Sequence, residues 1–367
     1  MSLSKNTHLD QNEMIKKGSF FTPEHITSIV FNYLHDVLLP NDVIVDFGAG
    51  YGAFEKAFSD ISNPIIATDI DELSLSVLSN NFPKVRIINE NSLVNINREK
   101  YCDEKTRLIA VGNPPYNDIT SIYKKGEKGE NICDSLVKAR DLGVSFLKLY
   151  SEINSAYVCV LHPLAYLIKK SNFRSLGQFR ENYKLIKGTI FSSSEFESIK
   201  KGNSEFPVLA AFYERNSEGM NFDYISDFSF DIYNSATKFR LSNYDTIDGK
   251  ISKYPSKDDV NYEGLQFYTL RDINALKRNA TFVDGFCSNG IKITLENLYQ
   301  YAWLAFFKDS FNPKENGYIF GNLSPFYDKS IETAGKKREL IRYIWDTKPI
   351  VKKYYTYEVL SSYYGDF

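Results

Sequence analysis

Gly112-Asn113-Pro114-Pro115-Tyr116 carries the most specific chemistry in the chain. Two consecutive prolines fix φ, remove two backbone donors and hold Asn113 and Pro114 extended, because each precedes a proline. Acceptors are therefore presented without competing donors. The side-chain oxygen of Asn113 and the carbonyl of Pro114 can both accept from one amino group, while Tyr116 offers a ring face to a flat base. An ordinary Pro-Pro turn is the structural alternative. Position favours the chemical reading, because the segment ends the apolar run 108–111 and comes after two further sites in chain order.

Those two sites describe a nucleoside with a charged tail. Asp46-Phe47-Gly48-Ala49-Gly50-Tyr51-Gly52 directly follows the run 43–45. In a doubly wound sheet, ligands bind outside the carboxyl ends of strands, and glycines there let the backbone come close. The spacing is not the G-x-G-x-x-G that opens a helix beneath a pyrophosphate, and a leading carboxylate repels phosphate. It suits a cationic amino-acid group; a plain strand-to-helix turn is the simpler alternative. The next run, 65–68, ends in Asp69-Ile70-Asp71, roughly 20 residues on, where such a fold places the acid that binds ribose hydroxyls. We assign the ribose to Asp69, and helix capping or a secondary contact to Asp71; either acid could instead simply cap a helix starting near Glu72. S-adenosylmethionine is a ligand of this description.

The elements that must position these residues alternate. Strand candidates cover 43–45, 65–68, 85–88, 108–111, 157–161, 187–190 and 208–213, with helices between them at 54–59, 72–80, 142–153 and 176–183. Short β-branched runs separated by longer amphipathic stretches are the pattern of a doubly wound α/β domain. The polar run Glu214-Arg215-Asn216-Ser217-Glu218-Gly219 then reads as a linker. The expected division is a first domain over 1–215 and a second, mixed domain over 221–367, with helices near 295–307 and 336–345.

Composition bounds the rest. A chain of 367 residues exceeds what one core usually serves, and 43% hydrophobic with 25% charged residues describes a folding globular chain. The longest apolar runs, 43–45 and 157–161, fall far short of the roughly 20 residues of a membrane helix, so no membrane partner is expected. No apolar stretch follows Ser4-Lys5-Asn6-Thr7-His8, which makes the cytoplasm the expected location. Cys102, Cys133, Cys159 and Cys287 form no CxxC pair and there are only four His, so neither metal nor disulfide is expected. A net charge of −2 supplies no overall basic field. Aromatic residues reach 15%, with 26 Tyr and 27 Phe; they serve cores or stack on unpaired bases.

In their order these blocks resemble the gamma-type amino-methyltransferases that methylate adenine N6 in DNA, typified by the methylases of restriction-modification systems. Gly18-Ser19-Phe20-Phe21-Thr22-Pro23 resembles that family's N-terminal cofactor motif, Asp46 to Phe54 its glycine motif and Thr68-Asp69-Ile70-Asp71 its ribose motif. Asn113-Pro114-Pro115-Tyr116 resembles its catalytic motif, followed by Asp141-Leu142-Gly143-Val144-Ser145-Phe146. Ser194-Glu195-Phe196 resembles the segment that supplies an aromatic to the target base. The likeness covers residues 18–213.

The resemblance implies a Rossmann-like S-adenosylmethionine-dependent methyltransferase domain followed by a target-recognition domain, with double-stranded DNA and a cognate restriction endonuclease as partners. Cofactor contacts fall to Phe21, Thr22, Pro23, Asp46, Gly48, Gly50, Asp69, Ile70, Asn91 and Asn113. Catalysis falls to Asn113, Pro114, Pro115 and Tyr116, with Phe196 against an adenine turned out of the duplex. Asn91 is a departure, standing in Asn89-Glu90-Asn91-Ser92 where the family often has an acid, and Phe47 and Gly48 replace its frequent Pro and Cys. The segment 117–140, with Lys124, Lys125 and Lys128, is either a solvated loop or one that orders over DNA. In the C-terminal part Lys336-Lys337-Arg338 and Lys352-Lys353-Tyr354-Tyr355 are candidate DNA contacts or solvated faces. Rival readings are methylation of adenine in RNA, methylation of a protein glutamine amide, and a non-catalytic recognition subunit.

Overall fold

Val43-Ile44-Val45 and Leu108-Ile109-Ala110-Val111 are apolar at every position, the signature of strands covered on both faces. In a computed structural model of the chain they form β1 (Val43–Phe47) and β4 (Leu108–Gly112), and every residue of both is buried. The structure describes residues 21–116, 133–196, 205–245, 251–252, 255–259, 262–268, 281–285, 287–310, 319 and 329–367. Lys124, Lys125, Lys128 and residues 18–20 lie outside them.

The chain divides into two compact units, Met1–Asn203 with Pro207–Arg240, and Leu241–Phe367 with Ser204–Phe206. In the first, β2 (Ile65–Asp69), β3 (Arg86–Asn89), β5 (Tyr157–Pro163), β6 (Tyr183–Ser192), β7 (Pro207–Arg215), β8 (Phe230–Ile232) and β9 (Lys238–Phe239) join β1 and β4 in one sheet of order β3-β2-β1-β4-β5-β7-β6-β8-β9. Pairs from β3 through β5 are parallel, and β7 then runs antiparallel to both β5 and β6. This is a doubly wound, Rossmann-like α/β fold with a mixed edge. The order reverses at β1 and β4, so the crevice where such sheets bind ligands opens beyond Phe47 and Gly112.

Helix α1 (Glu24–His35) precedes β1, and α2 (Ala53–Ala57), α3 (Glu72–Asn81) and α4 (Leu142–Glu152) lie between the parallel strands. Asp141 caps α4 by accepting from the Gly143 N–H at 2.9 Å. Two expectations are corrected. Tyr183 opens β6 instead of closing a helix over 176–183; three short turns precede it, α5 (Ala165–Ile168), α6 (Lys170–Ser175) and α7 (Gln178–Asn182). The first unit also continues past the polar run at 214–219, since β8, which follows α8 (Phe222–Asp227), pairs parallel with β6 at Thr189 and Ile190.

The second unit has a three-stranded antiparallel sheet in which β10 (Gln266–Tyr268) lies between β11 (Thr281–Val283) and β12 (Gly290–Lys292). Around it are α9 (Leu298–Ser310), α10 (Ala334–Thr347), α11 (Pro349–Tyr354) and α12 (Tyr357–Tyr364). Phe267 anchors the core, with its ring centroid 5.1 Å from those of both Phe282 and Tyr301. Thus part of the high aromatic content fills a core. No helix among the described residues is long and apolar enough to cross a membrane.

Candidate active site

The loop after β1 is fastened to the end of β2 by its own backbone. The N–H groups of Gly48 and Ala49 both donate to the Thr68 carbonyl, at 2.9 and 3.0 Å, and the Gly50 N–H donates to Asp69 Oδ2 at 2.8 Å. Gly48 and Gly50 have φ of 82° and 52°, and a Cβ on either would meet nothing within 4 Å. Glycine is required there by backbone conformation, and open space lies beside it. Gly112 is required by space: a Cβ would stand 2.8 Å from the Phe47 carbonyl and 3.1 Å from Asp46 Oδ1. The ends of β1 and β4 therefore approach each other around the Asp46 carboxylate.

Asp46 is 1% exposed, and neither of its carboxylate oxygens has a partner. The same holds for Glu55 on α2. Buried carboxylates ordinarily are paired, and others in this chain obey. Asp42 accepts from the Leu39 N–H at 2.8 Å and faces Arg107, and Asp259 takes the Ser256 hydroxyl and the Lys292 N–H, both at 2.7 Å. Burial pushes the Asp46 carboxyl well above the usual carboxylate range, and the charges of Glu55 and Asp69 push it further. Burial does the same to Glu55, with Asp69 adding to it. The Tyr150 hydroxyl on α4 is a third buried group without a partner, its proton held tightly by burial and by the nearby Asp46 charge.

Asp69 is placed differently. Its carboxylate accepts from Gly50 N–H and, at 2.9 Å, from Asp71 N–H, and these bonds offset part of the upward shift that burial causes. Backbone donors therefore occupy only part of its roughly four lone-pair sites, and acceptor capacity remains for a ribose hydroxyl. Asp71 stands at the N-cap of α3 and accepts from the Ser74 hydroxyl at 2.9 Å. Ile70 is 73% exposed. Asn91 accepts from the Leu93 N–H at 3.0 Å, and the neighbouring Ser92 hydroxyl pairs with Thr68 at 2.9 Å.

At the end of β4, the Asn113 amide donates to Thr22 Oγ1 at 3.1 Å, and its oxygen accepts from the Tyr116 hydroxyl. Thr22 is 4% exposed and precedes Pro23, the N-cap of α1, with Phe21 half-buried beside it. The structure thus brings Thr22 of the segment Phe21-Thr22-Pro23 together with the Asn-Pro-Pro-Tyr block. Pro114 is buried, and Pro115 and Tyr116 are half-buried. Burial holds the Tyr116 hydroxyl protonated, helped by the Asp141 charge, so it acts as a donor.

Phe196 is not brought to this place as an open ring. It is 1% exposed and packs edge-on against Phe191 at 5.8 Å. Its neighbour Glu195 bonds to His25 on α1 at 2.9 Å, and that imidazole stacks on Tyr233 at 5.4 Å. In the second unit, Lys336 pairs with Glu339 at 2.6 Å, Lys337 lies 4.1 Å above the Tyr299 ring, Lys352 lies 4.9 Å above Trp345, and Lys353 pairs with Asp284. No group of three His, Cys, Asp or Glu able to hold a metal occurs among the described residues. Glu55 and Tyr150 were not legible as site residues: a Glu in Phe54-Glu55-Lys56 reads as a solvated helix position, and Tyr150 as ordinary core.

No family model matches the chain. It is 32% identical over 88 residues to ribosomal RNA small subunit methyltransferase A of Chlorobium phaeobacteroides, covering 24% of this chain and 33% of that protein. The protein of the same name from Metamycoplasma arthritidis is 29% identical over 118 residues, covering 31% and 43%. The chain therefore spans less than half the length of either curated relative. Among solved structures, one provisionally described as the modification subunit of a type I restriction enzyme from Vibrio vulnificus superposes with a TM-score of 0.43 at 15% identity, covering 80% of this chain and 67% of that one. The sheet order and the site at its strand ends define a doubly wound, Rossmann-like α/β fold with its candidate ligand site at the point where the order reverses.

Proposed function

We propose that this chain is an S-adenosylmethionine-dependent methyltransferase that modifies the exocyclic amino group of adenine in DNA. The observation that carries the reading is the hydrogen bond joining Asn113 to Thr22, which unites two separately recognised blocks beside the acidic end of β1. A methyltransferase is also the printed name of both curated relatives.

The residues present fit the cofactor. Orphaned Asp46 supplies a buried acceptor for an ammonium group, the space at Gly48 and Gly50 admits a bound molecule, and Asp69 keeps acceptor sites for ribose. The cofactor supplies an electrophilic methyl group on a sulfonium. Asn113 and the Pro114 carbonyl do the rest by accepting the two amino protons of the base, which favours a pyramidal nitrogen and stabilises the charge that grows on it. Thr22 holds the Asn113 amide so that its oxygen, and not its NH2, faces outward, and Tyr116 exchanges its hydrogen bond for the incoming amine. Extrusion of the adenine from a duplex costs a few kcal/mol, which stacking on Tyr116 offsets in part. The second unit reads the DNA sequence, and a cognate restriction endonuclease belongs to the same reading.

Methylation of RNA is the second reading, favoured by the ribosomal RNA named in both relatives. Incubation with labelled S-adenosylmethionine and duplex DNA, bulk RNA or protein separates the readings. Label in N6-methyladenine of DNA is the expected result; label confined to RNA or protein overturns the DNA assignment.

A further inference from the structure

Two buried carboxylates, not one, await a partner at the glycine loop. Asp46 comes from β1 and Glu55 from α2; both are 1% exposed, none of their four oxygens has a partner from another residue, and Asp46 feels the charges of Glu55 and Asp69 while Glu55 feels that of Asp69. The unpartnered Tyr150 hydroxyl faces the same charge from α4. The nearest cation on α2, Lys56, is engaged on the surface by Glu24 at 2.6 Å and supplies nothing inward. Asp69 is partly satisfied by backbone donors, so the unmet demand falls on Asp46 and Glu55. Unpaired buried charges are costly, and two adjacent carboxyls avoid the cost by retaining protons.

We propose that Glu55 is a second carboxylate of the ligand site, which with Asp46 receives the ammonium group of the amino-acid end of the cofactor and releases a proton as that cation enters. The inference rests on the methyltransferase reading. The released proton passes to solvent, and the buried carboxyls exchange one proton for a cation of equal charge. Glu55 thereby selects ligands that carry the amino-acid end over the bare nucleoside thioether.

The test is calorimetric binding of S-adenosylmethionine to the full chain at neutral pH, in two buffers of different ionisation enthalpy. Wild type should release a proton on binding. Glu55→Gln should lose that release and bind about tenfold or more weakly, as expected when a charged acceptor is removed, while binding of 5′-methylthioadenosine, which lacks the amino-acid end, should be unchanged. Glu55→Leu guards against a folding artefact: it removes an uncompensated buried acid, so the ligand-free protein should melt higher, yet gain little on adding S-adenosylmethionine. If wild type binds S-adenosylmethionine and Glu55→Gln binds it equally well with the same proton release, the Glu55 assignment falls and the methyltransferase reading stands. If wild type does not bind the cofactor, both fall.

Discussion

Asn113 and Thr22 stand 91 positions apart in the chain and are joined by a 3.1 Å hydrogen bond from the amide of one to the hydroxyl of the other. Because the amide nitrogen is committed to Thr22, the oxygen is the atom left to accept, and it currently accepts from Tyr116. Replacement Asn113→Ala removes an acceptor that acts on developing charge, so single-turnover methyl transfer should fall on the order of 100-fold. Binding of S-adenosylmethionine should barely change. A purely structural turn predicts the opposite pair of results, a lower melting temperature with near-normal turnover in the folded fraction.

Asp69 serves the loop as well as the ligand. Asp69→Ala removes acceptors for the N–H groups of Gly50 and Asp71 along with those for ribose. Binding should weaken by about 1 to 3 kcal/mol, and stability should fall by a similar amount because two partly buried donors lose their partner. Asp69→Asn, which keeps one oxygen, should recover part of both in calorimetry and thermal melts. Unchanged affinity in the alanine variant would move the ribose contact to Asp71.

Phe196 is a core residue in this structure. Phe196→Ala leaves a cavity against Phe191 and should cost about 3 to 5 kcal/mol in denaturant unfolding. A role in stacking on an extruded base requires the ring to leave that packing. Methylation of a paired and a mismatched adenine by the folded variant checks it: equal losses on the two substrates mean that the ring is structural only.

The strands of the parallel half were legible because their buried positions leave unbroken apolar runs, as at 43–45 and 108–111. The start of β6 was not. Leu176, Phe179 and Tyr183 are all buried and spaced as on one helix face, while the register of β6 slips between Leu185 and Lys187 and leaves Ile186 38% exposed, so no two-residue alternation announces the strand. Motif residues such as Asn113 stood out because proline restricts them locally. Glu55 did not, since its burial is decided by tertiary contact of α2, which no neighbouring residue encodes. Of the charge clusters, the pairing of Lys336 with Glu339 lies within one turn of a single helix and is readable in the sequence, whereas the pairing of Lys353 with Asp284 joins residues far apart in the chain and is not.

His162, on β5, gives the stability of the first unit an acid limit. Its Nδ1 meets the Pro163 carbonyl at 3.0 Å and its Nε2 meets the Tyr213 hydroxyl at 2.7 Å, so the neutral ring is satisfied at both nitrogens, donating from the first and accepting at the second. Burial lowers its pKa from 6.5 to about 4, against the carbonyl bond, which raises it. The unfolded chain therefore takes up a proton near pH 6.5 that the folded chain refuses until about pH 4. The contribution is fully present above pH 6.5 and is lost as pH falls through that window, approaching about 3 kcal/mol at its lower end. Asp46 and Glu55 act with the opposite sign, since their raised carboxyls cost stability as pH rises. The His162 part is isolated by comparing urea unfolding of wild type and His162→Gln at pH 7 and pH 4.5. Wild type should lose stability more steeply than the variant across that interval; equal losses would mean that the imidazole is protonated in the folded protein and that Tyr213 does not donate to it.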